Sequence, residues 1–251
     1  MIKLFFAIAF MILLTGCVES VTGHQPGETL KVGVKEDVPG FGFFNTKTNT
    51  YEGFEIDLAK MIAKELGYDE EKIEFIPVST RTRGPLLDNF EVDFVIATFT
   101  ITEERKQLYS FTTPYYTDYI GFMVKKLSGI KSLSELNGKT IGVVKKAPTM
   151  RELQMHMDEI NLNFTFEEYI SALDVRKALD KGEVDAFSIG HSILHGYFDD
   201  TTIILPDMLI PQPLGVATHL ENADLCHIID GLIKQWLKDG TIDRLTDKHR
   251  I

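Results

Sequence analysis

Short runs rich in valine and isoleucine alternate with amphipathic helical segments along most of the chain, and this alternation constrains the fold more than any other feature. Each run has the length of one strand, and each helical segment carries apolar residues at intervals of three and four. Such alternation predicts βαβ units and a mixed α/β fold with mostly parallel sheets. The predicted strands are 30–35, 73–78, 92–98, 140–144 and 184–189, and the predicted helices are 55–66, 171–181 and 225–237.

Two motifs recur in both halves of the chain and in the same order. Residues 32–34 (VGV) match residues 141–143 (IGV), and residues 87–93 (LDNFEVD) match residues 179–185 (LDKGEVD). The first motif belongs to the opening strand of each half, and the second to a turn from helix to strand. The repeat therefore predicts two similar lobes. Because open α/β sheets bind ligands at the carboxyl ends of their strands, we expect a small-molecule cleft between these lobes.

The composition excludes several classes of partner. The chain has 251 residues, of which 44% are hydrophobic and 25% are charged, as is typical of a soluble globular protein. Lys and Arg number 26 against 37 Asp and Glu, which gives a net charge of −11. We therefore expect neither nucleic acid nor an anionic membrane surface as the main partner. A local basic pocket for a small anion is compatible with this charge.

The N-terminal segment has the features of an export signal. A positive charge precedes an apolar run over residues 4–14, which is shorter than the ~20 residues that span a bilayer. We expect residues 1–16 to be a signal peptide and residues 17–28 to be a polar tether. The sequence around Cys17 resembles the lipobox of exported lipoproteins, which implies lipid on Cys17; an ordinary signal with an incidental cysteine is the alternative. Cys226 lies among apolar residues and is expected to be buried.

Basic residues follow three of the predicted strands, at the edge where the carboxyl ends meet. Lys35 ends the first strand, and Arg83 and Arg105 follow the next two strands. Threonines between positions 98 and 102 can cap a helix whose free N–H groups attract anions, and the Arg105 guanidinium can pair with a carboxylate. A solvated surface arginine is the alternative at this position. We expect a small-anion site at this rim.

Four stretches together resemble a known family. They are residues 32–39 (VGVKEDVP), 53–59 (GFEIDLA), 92–105 (VDFVIATFTITEER) and 111–116 (FTTPYY). In these motifs, and over nearly the whole chain from residue 30 onward, the sequence resembles the polar amino-acid solute-binding proteins of ABC importers. The branch that binds aspartate and glutamate is the most similar one, as judged from residues 82–89 (TRGPLLDN) and 184–188 (VDAFS).

The resemblance implies a fold, a function and a location. The expected α/β fold is two-lobed and like that of type II periplasmic binding proteins, with two βα sheets and a ligand cleft between them. The expected function is the substrate-binding component of an amino-acid importer, a monomer without cofactor that captures a polar, preferably acidic, amino acid for a membrane permease. The protein would be exported and lipid-anchored, facing the periplasm or the extracellular side. The expected lobes are 29–118 with 213–251, and 119–212, with hinge crossings near 117–124 and 207–216.

The resemblance also implies roles for individual residues of the first lobe. Arg105 would pair with the α-carboxylate of the ligand, assisted by the hydroxyl and N–H of Thr100. The carbonyl of Thr98 would face the α-amino group. In the acidic branch, the positions that match Lys35 and Arg83 hold the side-chain carboxylate.

Two departures from the family pattern affect the second lobe. The loop that usually supplies backbone donors reads Lys146-Ala147-Pro148-Thr149, where Lys146 fills a glycine position and Pro148 lacks an N–H. The family also places an aspartate for the ligand ammonium at the position of Gly190. Because an unpaired buried ammonium is costly, either a nearby acid substitutes, or water and carbonyls suffice, or the ligand has no amine. Three cations around one carboxylate would leave excess charge, which favours an acidic ligand.

Other functions stay open on the sequence alone. A receptor for a dicarboxylate without an amine, or a dehydratase-like enzyme on the same scaffold, would each be compatible with Gly190. Against an enzyme, the chain has no Gly-x-Ser-x-Gly, His-Glu-x-x-His or P-loop motif. His191 and His195 are four positions apart and can share a helix face, but no third metal ligand is evident, so we expect no metal site.

Overall fold

The computed structural model describes residues 29–251. The expectations for the N-terminal segment, namely the signal peptide over 1–16, the lipid on Cys17 and the tether over 17–28, lie outside the described residues. Within residues 29–251, no helix combines the length and the apolarity that a membrane crossing requires.

Fourteen strands and eight α-helices, joined by turns and short 3-10 segments, make up residues 29–251. The strands are β1 (Leu30–Val34), β2 (Asp37–Val38), β3 (Gly42–Asn45), β4 (Thr50–Glu52), β5 (Ile73–Pro77), β6 (Phe94–Ile96), β7 (Tyr109–Phe111), β8 (Tyr116–Lys125), β9 (Thr140–Val144), β10 (Thr165–Tyr169), β11 (Ala186–Gly190), β12 (Thr202–Ile204), β13 (Leu209–Leu214) and β14 (Ala217–His219). The helices are α1 (Phe54–Glu65), α2 (Arg83–Asp88), α3 (Glu103–Lys106), α4 (Thr149–Ile160), α5 (Ala172–Lys181), α6 (His191–His195), α7 (Ala223–Lys238) and α8 (Thr241–His249).

The first lobe is built on a five-stranded sheet in the order β5-β1-β6-β14-β7. Strand β1 runs parallel to β5 and β6, whereas β14 runs antiparallel to β6 and β7. Helices α1, α7 and α8 supply apolar faces to one core with this sheet, where Ile62, Ile229 and Ile242 pack with Val32 and Phe94. The C-terminal helices therefore belong to the same lobe as the first strand.

The second lobe is built on the sheet β10-β9-β11-β8-β12, with β13 paired to β8. Strands β10, β9 and β11 run parallel, and β8 runs antiparallel to β11, β12 and β13. Each face of this sheet covers a separate core. Phe122 contributes to one core and its neighbour Met123 to the other, as the alternation of side chains along a strand requires.

The chain passes between the lobes twice, at adjacent places. It leaves the first sheet after β7 and enters the second with β8, and it returns between β13 and β14. Strands β8 and β13 pair side by side, with Tyr116 opposite Leu214 at the end that faces the first lobe. The connection between the lobes is therefore a pair of antiparallel strand ends.

The prediction of mostly parallel sheets is wrong. In each lobe, the three strands that alternate with helices are parallel, but the strands beside them run antiparallel. A sequence pattern identifies a strand without giving its direction, because direction depends on the connection that precedes it. The chain enters β8 and β14 after passing between lobes rather than after a crossover helix. The small antiparallel sheet β2-β3-β4 was not predicted either.

The remaining predicted elements are confirmed to within a few residues. Helices α1, α5 and α7 occupy the three predicted helical segments, while β6 is shorter than the predicted strand 92–98. Ser171 caps α5, as its hydroxyl accepts the N–H of Asp174 at 3.2 Å. Cys226 is buried in the first lobe and is not in a disulfide.

The motif that recurs in the sequence forms the same hydrogen-bonded turn in both lobes. Asp93 Oδ2 accepts the N–H of Lys31 at 2.7 Å, and Asp185 Oδ2 accepts the N–H of Thr140 at 2.9 Å. The N–H of each aspartate donates back to the carbonyl of the same partner, at 2.8 Å in both lobes. Asp93 thus joins β6 to the parallel strand β1, and Asp185 joins β11 to the parallel strand β9, so the two lobes share this feature as predicted.

Gly33 in β1 and Gly142 in β9 are needed for close packing. A Cβ atom on Gly33 would lie 2.9 Å from a methyl carbon of Val95, and one on Gly142 would lie 2.6 Å from a methyl carbon of Val175. Both distances are shorter than a van der Waals contact between carbon atoms. The glycine of the recurring motif therefore lets a neighbouring apolar side chain pack against the strand.

The substitution Gly142→Ala should lower the free energy of unfolding by about 1–3 kcal/mol, because overpacking forces neighbours away. For a chain of this size, each kcal/mol corresponds to about 2–4 °C in Tm. Gly231 in α7 is the matched control, since a Cβ there meets nothing within 4 Å. Gly231→Ala should leave Tm unchanged or raise it, because alanine favours a helix. Equal Tm shifts for the two variants in thermal unfolding would contradict the packing argument.

Candidate functional site

A cavity of about 50 Å³ lies where the two lobes face each other. The first lobe, the second lobe and the connecting strands all contribute side chains to its wall. The residues that line it are Thr80, Arg83, Thr98, Thr100, Asp118, Ala147, Pro148, Thr149, Ile189, Gly190, Ile193, Gln212 and Leu214.

Most of the residues predicted from the sequence meet at this cavity. Arg83, Thr98, Thr100, Thr149 and Gly190 all line it, together with the loop residues at positions 147 and 148. They come from distant parts of the chain, and the ends of β6 and β11 and the start of α4 bring them together. The sequence argument that strand ends converge on one site is therefore supported by their positions.

The two other predicted cations do not line the cavity. Arg105 Nη1 donates to the carbonyl of Thr100 at 2.7 Å, and its Nη2 donates to the carbonyl of Lys146 at 3.2 Å. Lys35 is buried with its Nζ 2.7 Å from Asp37 Oδ1. The charge of Lys35 is therefore balanced within the first lobe.

Arg83 is a buried guanidinium at the start of α2, with 2% of its surface exposed. Its Nη1 donates to the carbonyls of Ala97 and Thr98, at 2.8 and 3.2 Å. Its guanidinium carbon lies 4.0 Å from the centre of the Phe99 ring, and that of Arg105 lies 4.9 Å from the same ring. Burial and the positive charge of Arg105 both lower the pKa of Arg83. An anion at this place would relieve that repulsion.

Glu55 is a fully buried carboxylate that sequence analysis did not select. Its Oε1 accepts the N–H of Thr98 at 2.6 Å and also accepts the hydroxyl of Tyr115. Burial raises the pKa of Glu55 to about 7, although these hydrogen bonds and the charges of Lys35 and Arg83 act in the opposite direction. The sequence of α1 did not indicate that Glu55 is buried and binds Thr98. Glu55 stands in the first turn of α1, where the helix dipole also favours an acid.

Thr98 has a strained backbone that its neighbours hold in place. Its φ is 46°, in the left-handed region that a β-branched residue rarely adopts. Glu55 binds its N–H and Arg83 binds its carbonyl. Strain of this kind concentrates at functional sites, where the surrounding structure fixes it. The carbonyl of Thr98, predicted to face a ligand amine, is thus already an acceptor for Arg83.

The second lobe presents a helix start to the cavity. Thr149 is the first residue of the twelve-residue helix α4 and is buried on the cavity wall. The N-terminus of a helix favours a negative charge through its dipole and its free N–H groups. Lys146, just before it, has φ of 67°, which explains why glycine is the usual residue there.

Asp118, on β8, is the second residue that sequence analysis did not select. It lines the cavity and has 2% of its surface exposed. Residues 118, 120, 122 and 124 are all buried, so Asp118 continues the buried face of β8. An acid in register with the apolar face of a strand was the signal that could have identified it.

Polar contacts join the two lobes around the cavity. Thr80 Oγ1 donates to the carbonyl of Lys145 at 2.9 Å. Arg151 of α4 forms an ion pair with Glu104 of α3, with 2.6 Å between Nη1 and Oε1. These contacts, and that of Arg105 with the Lys146 carbonyl, join the first lobe to the loop and helix that follow β9.

Two other features do not form part of this site. A larger groove of about 640 Å³ runs over the first lobe between α7 and β7, but none of the predicted site residues lines it. The rings of His191 and His195 lie 5.1 Å apart in α6. In the part of the chain that the structure describes, no group of three or more His, Cys, Asp or Glu side chains is placed to hold a metal ion.

The substitution Glu55→Gln should change how stability depends on pH. The pKa of about 7 lies above the ordinary value of 4.5, so the folded protein retains a proton that the unfolded chain has released. The contribution of Glu55 to the free energy of unfolding therefore falls as pH rises from about 4.5 to about 7. Glutamine keeps an acceptor oxygen for Thr98 and Tyr115 and has no proton to lose. The stability of the variant minus that of the wild type should increase across this window, by up to about 3 kcal/mol.

Denaturant unfolding at several pH values between 4.5 and 8 measures this difference. Glu65→Gln is the matched control, since Glu65 is exposed at the end of the same helix. A difference that stays flat for Glu55→Gln would contradict the raised pKa.

Comparison with known proteins identifies the family. The sequence profile of the family described as "Bacterial extracellular solute-binding proteins, family 3" matches residues 30–250. The ABC transporter glutamine-binding protein GlnH of Bacillus subtilis (strain 168) is 32% identical over 233 residues, which cover 92% of this chain and 84% of that protein. The glutamine-binding protein of Geobacillus stearothermophilus is 36% identical over 200 residues, which cover 78% of this chain and 75% of that protein.

Solved structures give the same result. An ancestral arginine-binding protein bound to arginine has a TM-score of 0.76 at 31% identity, covering 88% of this chain and 97% of that one. The expected two-lobed fold is therefore confirmed. These relatives are named as binding proteins, which confirms the expectation of a binding protein rather than an enzyme. The chain belongs to family 3 of the bacterial extracellular solute-binding proteins.

Proposed function

We propose that this protein is the substrate-binding component of an ABC-type amino-acid importer. It captures a polar amino acid in the cavity between the lobes and presents it to a membrane permease. The observation that carries the proposal is the wall of this cavity, where Arg83 and Thr100 of the first lobe face Thr149 of the second. The relatives named as glutamine-binding and L-cystine-binding proteins support an amino acid as the class of ligand.

The α-carboxylate of the ligand is assigned to the place between Thr100 and the start of α4. Arg105 lies next to this place because it donates to the carbonyl of Thr100. Burial and the charge of Arg151 lower the pKa of Arg105 to about 10, so it remains a cation at neutral pH. A planar guanidinium, a hydroxyl and a helix N-terminus are each suited to a carboxylate.

Lobe movement provides access to the cavity. Residues near 117–124 and 207–216 form the proposed hinge, because β8 and β13 are the strands that connect the lobes. The first lobe holds the ligand and the second lobe then closes over it. Closure removes water, which strengthens each charged contact within the cavity.

The side chain of the ligand depends on the charge balance of the cavity. The sequence counts three cations, which favours an acidic amino acid. Lys35 is paired with Asp37, however, and Asp118 adds a buried carboxylate. Arg83 and Arg105 carry two positive charges, Asp118 carries one negative charge, and Glu55 is neutral when it holds its proton. One positive charge therefore remains to pair with a side-chain carboxylate of the ligand. We keep aspartate or glutamate as the first candidate and glutamine, whose side chain is neutral, as the second.

Export and anchoring complete the proposal. The family consists of extracellular proteins. We propose that the protein is exported, that Cys17 carries the lipid which holds it at the outer face of the cell membrane, and that it acts there as a monomer. This arrangement keeps the binding lobes close to the permease.

A thermal-shift panel should identify the class of ligand. A ligand at ~100 times its Kd adds about 2.7 kcal/mol, or about 5–10 °C in Tm for a chain of this size. We expect L-glutamate or L-aspartate to give the largest shift, with L-glutamine next, and L-arginine, L-lysine and succinate to give less. A larger Tm shift with glutamine than with glutamate or aspartate would overturn only the preference for an acidic ligand. A response to succinate alone would overturn amino-acid binding, and turnover of a ligand detected by mass spectrometry would indicate an enzyme.

Arg105→Ala should weaken binding of the amino acid found by the panel by at least about 100-fold, because it leaves a buried carboxylate unpaired. The melting temperature without ligand should change little. Arg105→Lys keeps the charge but not the planar fork, so an intermediate loss is expected. The exposed Arg244, which donates to the carbonyl of Asp239 and to the hydroxyl of Thr241 and does not line the cavity, is the matched control through Arg244→Ala. Isothermal titration calorimetry measures all four proteins, and an unchanged Kd for Arg105→Ala would remove Arg105 from the site.

A further inference from the structure

We propose that Asp118 is the counter-ion for the ammonium group of the bound amino acid. In the family pattern an aspartate has this role, and this chain has Gly190 at the position of that aspartate. The inference rests on the amino-acid binding proposed above, and it names the residue that selects for an amine.

The two oxygens of the Asp118 carboxylate have different surroundings. Oδ1 accepts the N–H of Tyr119 at 2.8 Å and the N–H of Ser192 at 3.0 Å. Oδ2 is buried and has no hydrogen-bond partner in the described part of the chain. The side chain is held by Oδ1, and Oδ2 lies against Gly190, which lines the cavity together with Asp118. A buried carboxylate oxygen requires a donor, and a group bound in the cavity is placed to supply one.

Gly190 and Asp118 fit each other in this arrangement. A Cβ atom on Gly190 would overlap Asp118 Oδ2, well inside van der Waals contact. The two residues lie on neighbouring antiparallel strands, since Gly190 of β11 pairs with Ile120 of β8. The carboxylate of Asp118 therefore occupies the space into which a side chain at position 190 would extend. Glycine at 190 is what allows the acid at 118 to reach this place.

The geometry favours an ammonium group over other cations. A guanidinium binds a carboxylate best through two parallel hydrogen bonds, which need both oxygens. In Asp118, Oδ1 already accepts two backbone N–H groups, so one oxygen is available. A single oxygen suits the point charge and separate donors of an ammonium.

The charges on the cavity wall complete a site for a zwitterion. Arg83 and Asp118 both line it, so the cavity has a positive group for a carboxylate and a negative group for a cation. Burial raises the pKa of Asp118, while the N–H groups of Ser192 and Tyr119 and the nearby His191 act in the opposite direction. A ligand ammonium would stabilise the ionised form, as an adjacent opposite charge does for any buried acid.

The test compares ligands that differ only in the amine. L-Glutamine and its des-amino analogue glutaramate form one pair, and L-glutamate and glutarate form the other. Calorimetry on the wild-type protein should show a preference of at least about 100-fold for the amino member, as expected for a buried ion pair. In Asp118→Asn this preference should fall below about 10-fold, because the amino member loses affinity while the des-amino member does not. Asparagine keeps an acceptor for Tyr119 and Ser192, so the fold should be retained.

Two further variants distinguish recognition of the amine from a structural role. Asp185→Asn is the matched control, since Asp185 bonds the N–H of Thr140 in the same lobe and does not line the cavity. It should lower Tm and leave the preference unchanged. The double variant Asp118→Ser with Gly190→Asp moves the carboxylate to the neighbouring strand and should restore much of the preference.

The outcomes separate this inference from the proposed function. If the wild type binds an amino acid and Asp118→Asn keeps its preference for the amine, the role of Asp118 is wrong and the importer function stands. The same holds if both members of a pair weaken equally, because that is the effect of a structural residue. If the wild type binds neither L-glutamine nor L-glutamate, and binds no other amino acid in the thermal-shift panel, both proposals are overturned.

Discussion

The shape of the cavity depends on how two buried charged residues hold the backbone at the end of β6. Glu55 accepts the N–H of Thr98, and Arg83 donates to its carbonyl, so that Thr98 keeps a φ of 46°. Each side chain loses its hydration in this position and is compensated in part by the peptide groups that it binds. The turn they fix directs Thr100 to the cavity wall. The cavity wall thus depends on the carboxyl group of Glu55 behind it, because Glu55 orients the strained backbone of Thr98, which is part of that wall.

The architecture of each lobe could be predicted where one local pattern determined one element. The apolar stripe of α7 and the repeated turns at Asp93 and Asp185 are local features, and they formed as expected. The direction of β8 and β14 could not be predicted in the same way. It depends on the passage of the chain between lobes, which no local pattern records.

The convergence of residues on one cavity could be predicted where each residue follows its own strand, as Arg83 follows β5 and Thr149 follows β9. The prediction was incomplete where a role depends on pairing between distant segments. Lys35 lies at the expected strand end, but its ammonium group already forms an ion pair with the neighbouring Asp37. The relation of Gly190 to Asp118 depends on the register of β11 against β8, and the sequence contains both residues without indicating that they are neighbours. A missing acid at one position could therefore not be connected to an additional acid 72 residues earlier.

In the proposed function, one loop provides both contact with the ligand and contact between the lobes. Thr80 and Arg105 of the first lobe donate to the carbonyls of Lys145 and Lys146, and the loop continues along the cavity wall to Thr149. The left-handed backbone of Lys146 directs its carbonyl toward Arg105 at a conformational cost that glycine would not have. A ligand bound against Thr149 thus also fixes the loop that receives these two donors. Because a ligand shifts a conformational equilibrium only through its difference in affinity for the two states, contacts with this loop are what would couple binding to closure.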